Sequence, residues 1–132
     1  MKKIVLILVT IGISFSCDND DEVNSKTQLI GNWKLIEVLA DPGGGSGTFS
    51  SVESDKIITF ENNGIITSNG RLCDMSINSD NPTSGTYSIS ELTFSSSDCT
   101  NPDYDYTFEQ QGNILVIDYP CFEPCRAKYQ KQ

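Results

Sequence analysis

The chain has 132 residues, with 18 acidic side chains against 9 basic ones, no histidine and five cysteines. This length limits it to one domain. The lack of histidine excludes Ser-His-Asp and Cys-His catalysis and imidazole metal ligands. A net charge of −9 argues against nucleic-acid binding, because phosphates need cationic partners. Hydrophobic residues make up 37%, which is enough for a packed core.

The N-terminus has the pattern of a secretion signal. Two lysines precede an apolar run over residues 4–15, which is too short to cross a bilayer but has the length of a signal-peptide core. The small residue Ser16 then stands before Cys17, which resembles the relaxed lipobox of Bacteroidetes-type lipoproteins. The resemblance implies that residues 1–16 are a lipoprotein signal peptide and that Cys17 is lipidated. The alternative is an ordinary secretory signal with a free cysteine.

Residues 17–28 are predicted to be a lipidated acidic tether, and residues 29–132 to be the folded domain. The acidic run 18–22 has two interpretations: it is a solvated spacer, or it resembles the export signal of surface lipoproteins. The protein is therefore expected at the outer membrane, either on the cell surface or facing the periplasm. Residues 23–28 are predicted to be a polar linker. An acidic protein is repelled by anionic lipids, so acyl chains on Cys17 would have to hold it at the membrane.

After residue 28, no stretch has a sustained helical period, and short β-rich runs recur between turn-forming residues. These runs predict eight strands, at residues 31–39, 56–61, 65–68, 85–89, 92–95, 105–110, 114–119 and 126–131. Tight turns alternate with longer connections, and Asn62-Asn63-Gly64 predicts a type I′ hairpin. In an up-and-down meander, successive connections lie at opposite ends. The long loops, with all the cysteines after Cys17, are therefore expected at one end, called the mouth below.

Eight antiparallel strands can close into a barrel, which removes exposed sheet edges. The predicted fold is therefore all-β, an eight-stranded antiparallel up-and-down barrel. Such an interior either fills with side chains or holds one small ligand. Alternation along the strands predicts the inward-facing positions, which are Trp33, Leu35, Ile58, Phe60, Tyr87, Ile89, Leu92, Phe94, Tyr106, Phe108, Leu115, Ile117 and Tyr129.

The candidate ligand-binding residues come from this interior and from the mouth. Glu37 is included because strict alternation turns it inward, where it could hold a ligand's polar head, whereas a β-bulge would turn it outward. The full set is Leu35, Glu37, Phe60, Tyr87, Phe94, Tyr106, Phe108 and the rim residue Phe122.

Several motifs resemble bacterial lipocalin-like lipoproteins of the calycin superfamily. They are Gly31-Asn32-Trp33-Lys34-Leu35, Thr59-Phe60 with Gly64, Gly85-Thr86-Tyr87, and Cys121 and Cys125 with Lys128-Tyr129. The resemblance covers residues 29–131. It implies that Gly31 and Trp33 form the closed end, with Trp33 plugging the barrel under a basic side chain of the last strand, either Lys131 or Lys128.

Without Cys17, four cysteines remain, and they allow three pairings. The compartment outside the inner membrane favours disulfides. Cys121 and Cys125 flank a proline-containing turn, and Cys73 and Cys99 lie in neighbouring mouth loops. We therefore predict the pairs Cys73–Cys99 and Cys121–Cys125. A CxxxC spacing without histidine is a poor zinc or thioredoxin signal, and no metal or cofactor is predicted.

The sequence predicts a monomeric, non-enzymatic envelope protein, since no nucleophile–base pair is visible. Two functions stay open. The leading hypothesis is binding of a small apolar or amphiphilic ligand in the barrel mouth, because the predicted layout is a cup with aromatic inner positions. The other is a protein-binding or inhibitor module that uses the mouth loops around a side-chain-filled interior. An interior cavity below about 300 Å³ would favour the second. The expected partners are the membrane, through Cys17, and a small hydrophobic ligand or a protein, but no nucleic acid.

Overall fold

The computed structural model describes residues 20–45 and 47–132. One helix precedes nine strands, which are α1 (Asp20–Leu29), β1 (Gly31–Ala40), β2 (Ser50–Ser51), β3 (Ile57–Phe60), β4 (Ile65–Ser68), β5 (Thr83–Ser88), β6 (Thr93–Ser95), β7 (Tyr106–Gln111), β8 (Ile114–Tyr119) and β9 (Cys125–Lys131). The predicted signal peptide and Cys17 lie outside the described residues.

The strands form one antiparallel sheet that closes on itself. From β3 onward, each strand pairs with the following one as far as β9. Strand β9 then pairs with β1 along nearly its whole length. Both β2 and β3 pair with β1, at Val38↔Ser50 and Lys34↔Ile57, so they are two pieces of one interrupted strand. The molecule is thus an eight-stranded antiparallel barrel, and the predicted fold class is confirmed.

The barrel has two unlike ends. The base carries α1 and the short turns after β3, β5 and β7. The mouth carries the connections 41–56 (which contains β2), 69–82, 96–105 and 120–124. This distribution of long and short connections is the one predicted from the sequence.

The turn after β3 differs from the predicted type I′ hairpin. Gly64 has φ of +83°, but Asn63 is not among the described residues with positive φ. The amide of Glu61 donates to the carbonyl of Ile65 at 2.8 Å. The amide of Gly64 donates to the carbonyl of Glu61 at 3.3 Å. This is a three-residue loop with glycine in the left-handed position, a common alternative for a turn that contains glycine.

Helix α1 replaces the linker predicted over residues 23–28, and this prediction was wrong. The helix has no strong apolar stripe of its own, which is why the sequence did not indicate it. Its C-terminal end is held by the barrel, because Leu29 is 1% exposed and belongs to the core. The helix is thus stabilised by a contact that the local sequence does not encode.

The core is one continuous cluster inside the barrel. Its buried members are no more than 8% exposed, and they are Leu29, Trp33, Leu35, Ile58, Phe60, Ile66, Leu72, Phe94, Cys99, Tyr106, Phe108, Leu115, Ile117, Tyr119, Ala127 and Tyr129. Strands β4 and β8, whose sequences are apolar on both faces, direct Ile66, Leu115 and Ile117 inward.

Candidate functional site: the barrel interior and mouth

Trp33 closes the base as predicted. Its side chain is 0% exposed, and its Nε1 donates to the carbonyl of Leu29 at 2.8 Å. Lys131 Nζ lies 5.4 Å from the centre of the Trp33 ring and donates to the carbonyl of Gln28. Gly31 has φ of +127°, a backbone conformation that favours glycine, and a Cβ there would make only ordinary contact with Lys131 Cε at 3.5 Å. The basic residue above Trp33 is therefore Lys131.

Lys128, the alternative cation, lies on the outer face of the barrel instead. Its neighbours in β9, Ala127 and Tyr129, are 0% exposed, so alternation turns Lys128 away from the core. Lys128 Nζ forms an ion pair with Glu37 and lies 4.1 Å from the centre of the Phe49 ring.

Glu37 is on the outer face because β1 contains a bulge. Leu35 pairs with Tyr129, but Glu37 pairs with Lys128, so Ile36 is an extra residue in β1. Val38 packs against the core in the place that strict alternation would give to Glu37. Of the two alternatives left open by the sequence, the bulge is therefore the one observed, and Glu37 does not reach the interior.

The structure brings five of the predicted ligand-binding residues together in the core. Leu35, Phe60, Phe94, Tyr106 and Phe108 are at most 4% exposed. The Phe60 and Phe108 rings meet edge to face at 5.4 Å, and those of Phe94 and Tyr106 stack at 5.0 Å. These aromatic rings pack against one another rather than around an open space.

Of two further inward predictions, the one for Tyr87 is partly met and the one for Leu92 is wrong. Tyr87 is half-buried, its ring lies edge-on to Phe60 at 5.0 Å, and its hydroxyl donates to the carbonyl of Glu61. Burial raises the pKa of Tyr87. Leu92 was predicted to face inward, but it lies in the turn between β5 and β6 with φ of +55° and is 43% exposed.

The central part of the interior has no room for a ligand as it stands. Trp33, Ile58, Phe60, Leu115 and Tyr129 are each 0% exposed. A side chain with no accessible surface borders no space large enough for a water molecule. The central part of the barrel is therefore filled by its own side chains, as protein cores usually are.

Leu72 covers the mouth, and sequence reasoning missed this residue. It belongs to the loop 69–82, yet it is 0% exposed and part of the core. Its amide is fixed by the Thr83 hydroxyl at 2.8 Å. The only available signal was a large apolar residue directly before Cys73, which lies in a strongly polar loop.

Lys56 fastens the same loop to the barrel. Its side chain is 0% exposed, and its ammonium group donates to the carbonyls of Asp74 at 3.2 Å and Ser76 at 2.9 Å. Burial lowers the pKa of Lys56 to about 8, opposed by the nearby Asp74 carboxylate. A buried ammonium without a carboxylate in direct contact is unusual, and here backbone carbonyls compensate part of its lost hydration.

Both predicted disulfides are confirmed, and both lie at the mouth. Cys73 and Cys99 join the loops 69–82 and 96–105, with their Cα atoms 5.5 Å apart. Cys121 and Cys125 close the short connection before β9. The cover formed by Leu72 is thus held by a covalent bond next to it.

Two tyrosine hydroxyls in the core lack good hydrogen-bond partners. Tyr119 and Tyr129 are 8% and 0% exposed, and neither hydroxyl oxygen has a partner of good geometry. The two phenols are close enough to influence each other, and burial raises the pKa of both. Tyr119 was not among the predicted inward residues, although it continues the alternation of Leu115 and Ile117 along β8.

The glycine-rich segment after β1 is organised by Asp41. The Asp41 carboxylate accepts hydrogen bonds from the amides of Gly43, Gly44, Gly45 and Gly47, at 2.9 to 3.3 Å. These bonds, led by the one from Gly43, lower the pKa of Asp41. Backbone amides in a glycine-rich loop can bind an anion such as phosphate, but here they are occupied by the protein's own carboxylate.

Phe122, predicted at the rim, is fully exposed. It stands in the loop closed by Cys121 and Cys125, which also contains Pro124. The other large apolar residues exposed among the described residues are Ile77 and Leu92, at 41% and 43%. Phe122 is therefore the most prominent apolar group of the described surface.

Two surface clefts lie outside the core, whereas a third, of about 170 Å³, has Tyr87 and the core residue Phe94 among its lining residues. One of about 560 Å³ lies beside the break between β2 and β3, where Lys34, Glu53 and Asp80 are among its lining residues. Another, of about 330 Å³, lies on the outer face of β7 and β8. Neither includes a core residue. Within residues 20–45 and 47–132, no group of three or more His, Cys, Asp or Glu side chains is placed to hold a metal ion.

A closed eight-stranded barrel with a tryptophan plug under a lysine defines a calycin-type protein. The family model of the Lipocalin-like domain matches residues 29–117, so the chain belongs to this family. Barrels of this class have the capacity to bind small ligands. Searches of curated proteins and of solved structures found no match. Among the described residues, no helix has the length and apolarity needed to span a membrane.

Proposed function

We propose that this protein is a non-enzymatic, lipid-anchored protein of a Bacteroidetes-type outer membrane, and that it binds a protein partner through the rim of its barrel. The observation that carries the proposal is the filled interior, with Trp33, Phe60 and Tyr129 at 0% exposure. A barrel with no free interior leaves its mouth loops as the candidate binding surface, because binding residues concentrate on loops that a rigid scaffold positions.

The proposed anchor suits this use of the rim. Helix α1 begins three residues after Cys17 and ends at the base of the barrel. Lipidation of Cys17 would therefore hold the base toward the membrane. The mouth, at the opposite end, would face away from the lipid and stay open to a partner.

Photo-crosslinking in the protein's own cells tests the rim as the binding surface. A benzophenone amino acid is placed at Ser79 or Asn101, two exposed rim positions, and at Asn113, an exposed position of the base. We expect a discrete protein adduct from the rim positions and none from Asn113. Absence of adducts at both rim positions, or equal adducts at all three, would contradict the proposal.

The anchor and its location need separate tests. Intact mass of the protein from its own cells should correspond to a chain that starts at an acylated Cys17. Protease treatment of intact cells should then degrade the domain if it is displayed on the surface and leave it whole if it faces the periplasm. A mass that retains residues 1–16 would contradict the lipoprotein assignment.

A second candidate function is binding of a small amphiphilic molecule beneath Leu72. It is favoured by the hydroxyls of Tyr119 and Tyr129, which are buried without good partners and could bind a ligand's polar group. This function requires the loop 69–82 to open. A Leu72→Ala variant, compared with wild type in titrations with a fluorescent fatty-acid analogue, should then bind more tightly. No binding by either protein would eliminate this candidate.

A further inference from the structure

The mouth is the acidic pole of the molecule. Its connections carry nine acidic residues against two basic ones, so most of the chain's net charge of −9 is at this end. The basic residues do not offset it at the surface, because Lys56 is buried and Arg71 is paired with Asp74 at 2.9 Å. The acidic residues are Asp41, Glu53, Asp55, Asp74, Asp80, Asp98, Asp103, Asp105 and Glu123.

Phe122 projects from this acidic pole on a stiff support. The disulfide Cys121–Cys125 spans only four residues and closes the loop on itself. The loop is also fixed to the end of β1, because the amide of Asp41 donates to the carbonyl of Pro124 at 3.1 Å. Because the backbone of this loop is already held in position, a partner that buries the ring has less conformational entropy to remove.

Resting on the proposed function, we infer that Phe122 is the apolar anchor of the rim, and that its partner is a protein with an apolar pocket bordered by lysine or arginine. The pocket would bury the ring that this protein leaves in solvent. The basic border would match the acidic loops around it, which speeds association and selects the partner.

Insertion of Phe122 into a lipid surface is the alternative that the charges oppose. Anionic headgroups are repelled by an acidic surface. The residue next to Phe122 in the chain is Glu123, which anionic headgroups would also repel. A protein pocket is therefore the occupant that the observations favour.

The test uses a phage-displayed library of random linear peptides, selected on the full chain immobilised through its N-terminus. We expect enrichment of peptides that combine a large apolar residue with several lysines or arginines. Phe122→Ala should weaken their binding at least about tenfold, as loss of a central anchor does. Binding should also weaken as salt is raised from about 50 to about 300 mM.

Two controls separate the anchor from its surroundings. Leu92→Ala removes a partly exposed apolar side chain at the base and should leave binding unchanged. The double variant Cys121→Ser/Cys125→Ser keeps the ring but loosens its support, and should weaken binding less than Phe122→Ala does.

Three results of the peptide selection would overturn the inference. These are no enriched peptide, enriched peptides without basic residues, and peptides that bind Phe122→Ala as well as wild type. Anionic vesicles of phosphatidylglycerol and phosphatidylcholine serve as a parallel probe, and Phe122-dependent binding to them would also overturn it. The rim crosslinks at Ser79 and Asn101 do not depend on these results, so the proposed function stands or fails separately.

Discussion

The two ends of the barrel are closed in different ways. At the base, Trp33 fills the barrel from within, under Lys131 and the end of α1. At the mouth, Leu72 comes from a loop of fourteen residues, 69–82, and this loop is held by the disulfide Cys73–Cys99 and by the buried Lys56. The base is closed by residues of the strands, whereas the mouth is closed by a cover that needs separate fastenings.

This difference indicates which of the two ends of the barrel could open. Opening the base would break the central core, because Trp33 is 0% exposed and its ring lies between strands and helix. Opening the mouth would displace one loop while the strands keep their pairing. The following predictions test this contrast, from the largest expected effect to the smallest.

Trp33→Ala should destabilise the protein most. It removes the largest fully buried side chain, and truncation of a buried aromatic residue costs about 3–5 kcal/mol. Urea unfolding followed by far-UV circular dichroism measures the effect, because the chain has only one tryptophan and loses its main fluorophore in the variant. Trp33→Phe should lose less stability than Trp33→Ala. A loss below about 1 kcal/mol for Trp33→Ala would show that the plug is not part of the core.

Removal of the disulfides should affect the mouth unequally. Cys73–Cys99 spans 26 residues and Cys121–Cys125 spans four. Loop-closure entropy then predicts a loss of about 3–4 kcal/mol for Cys73→Ser/Cys99→Ser and about 2 kcal/mol for Cys121→Ser/Cys125→Ser. Thermal and urea unfolding of the two double variants compare these losses. An equal loss, or a larger one for the short loop, would argue against the first disulfide as the main fastening.

Lys56 should make stability depend on pH. Its pKa in the folded protein is about 8, against an ordinary value of 10.5. Between these values the unfolded chain keeps the proton that the folded chain releases, so the free energy of unfolding rises with pH. From about pH 7.5 to about pH 10, the wild type should gain about 2 kcal/mol relative to Lys56→Met.

The measurement for Lys56 is a series of urea denaturations at several pH values. Lys34→Met, which removes a partly exposed lysine paired with Asp55 at 3.8 Å, is the matched control. The wild type and this control should change in parallel with pH. If Lys56→Met also runs parallel to them, the lysine is not buried against the loop in solution.

Of the four predicted effects on stability, the one of Lys131→Met should be the smallest. A cation above an aromatic ring contributes about 0.5–2 kcal/mol, and the partial exposure of Lys131 places it near the lower end. Lys131→Arg should retain most of the stability, because it keeps the cation above Trp33. The measurement is the free energy of unfolding of the two variants, determined by chemical denaturation under the same conditions. If both lose the same amount, the charge above the ring is unimportant.

The barrel could be predicted because its signals are local. Turn-forming residues punctuate short β-rich runs, and Gly31 and Trp33 stand at the head of the first strand. The strand bounds agree to within a few residues, and both disulfides were found from the positions of the cysteines in the loops. The short β2 was missed, because two serines alone carry no strand signal.

What could not be predicted depends on distant contacts. The bulge at Ile36 turns Glu37 outward, and it is visible only in the register between β1 and β9. Leu72 and Lys56 become buried because the loop 69–82 folds back over the mouth. Helix α1 forms against a base that is built from residues more than a hundred positions away, such as Lys131.

Native mass spectrometry of the protein extracted from its own cells tests the central claim most directly, namely that the barrel is closed at both ends and carries no cargo. The account predicts the lipidated chain without any non-covalent small molecule, alone or together with a protein partner. A small molecule bound in one-to-one ratio, and released when Leu72 or Tyr129 is changed, would contradict it.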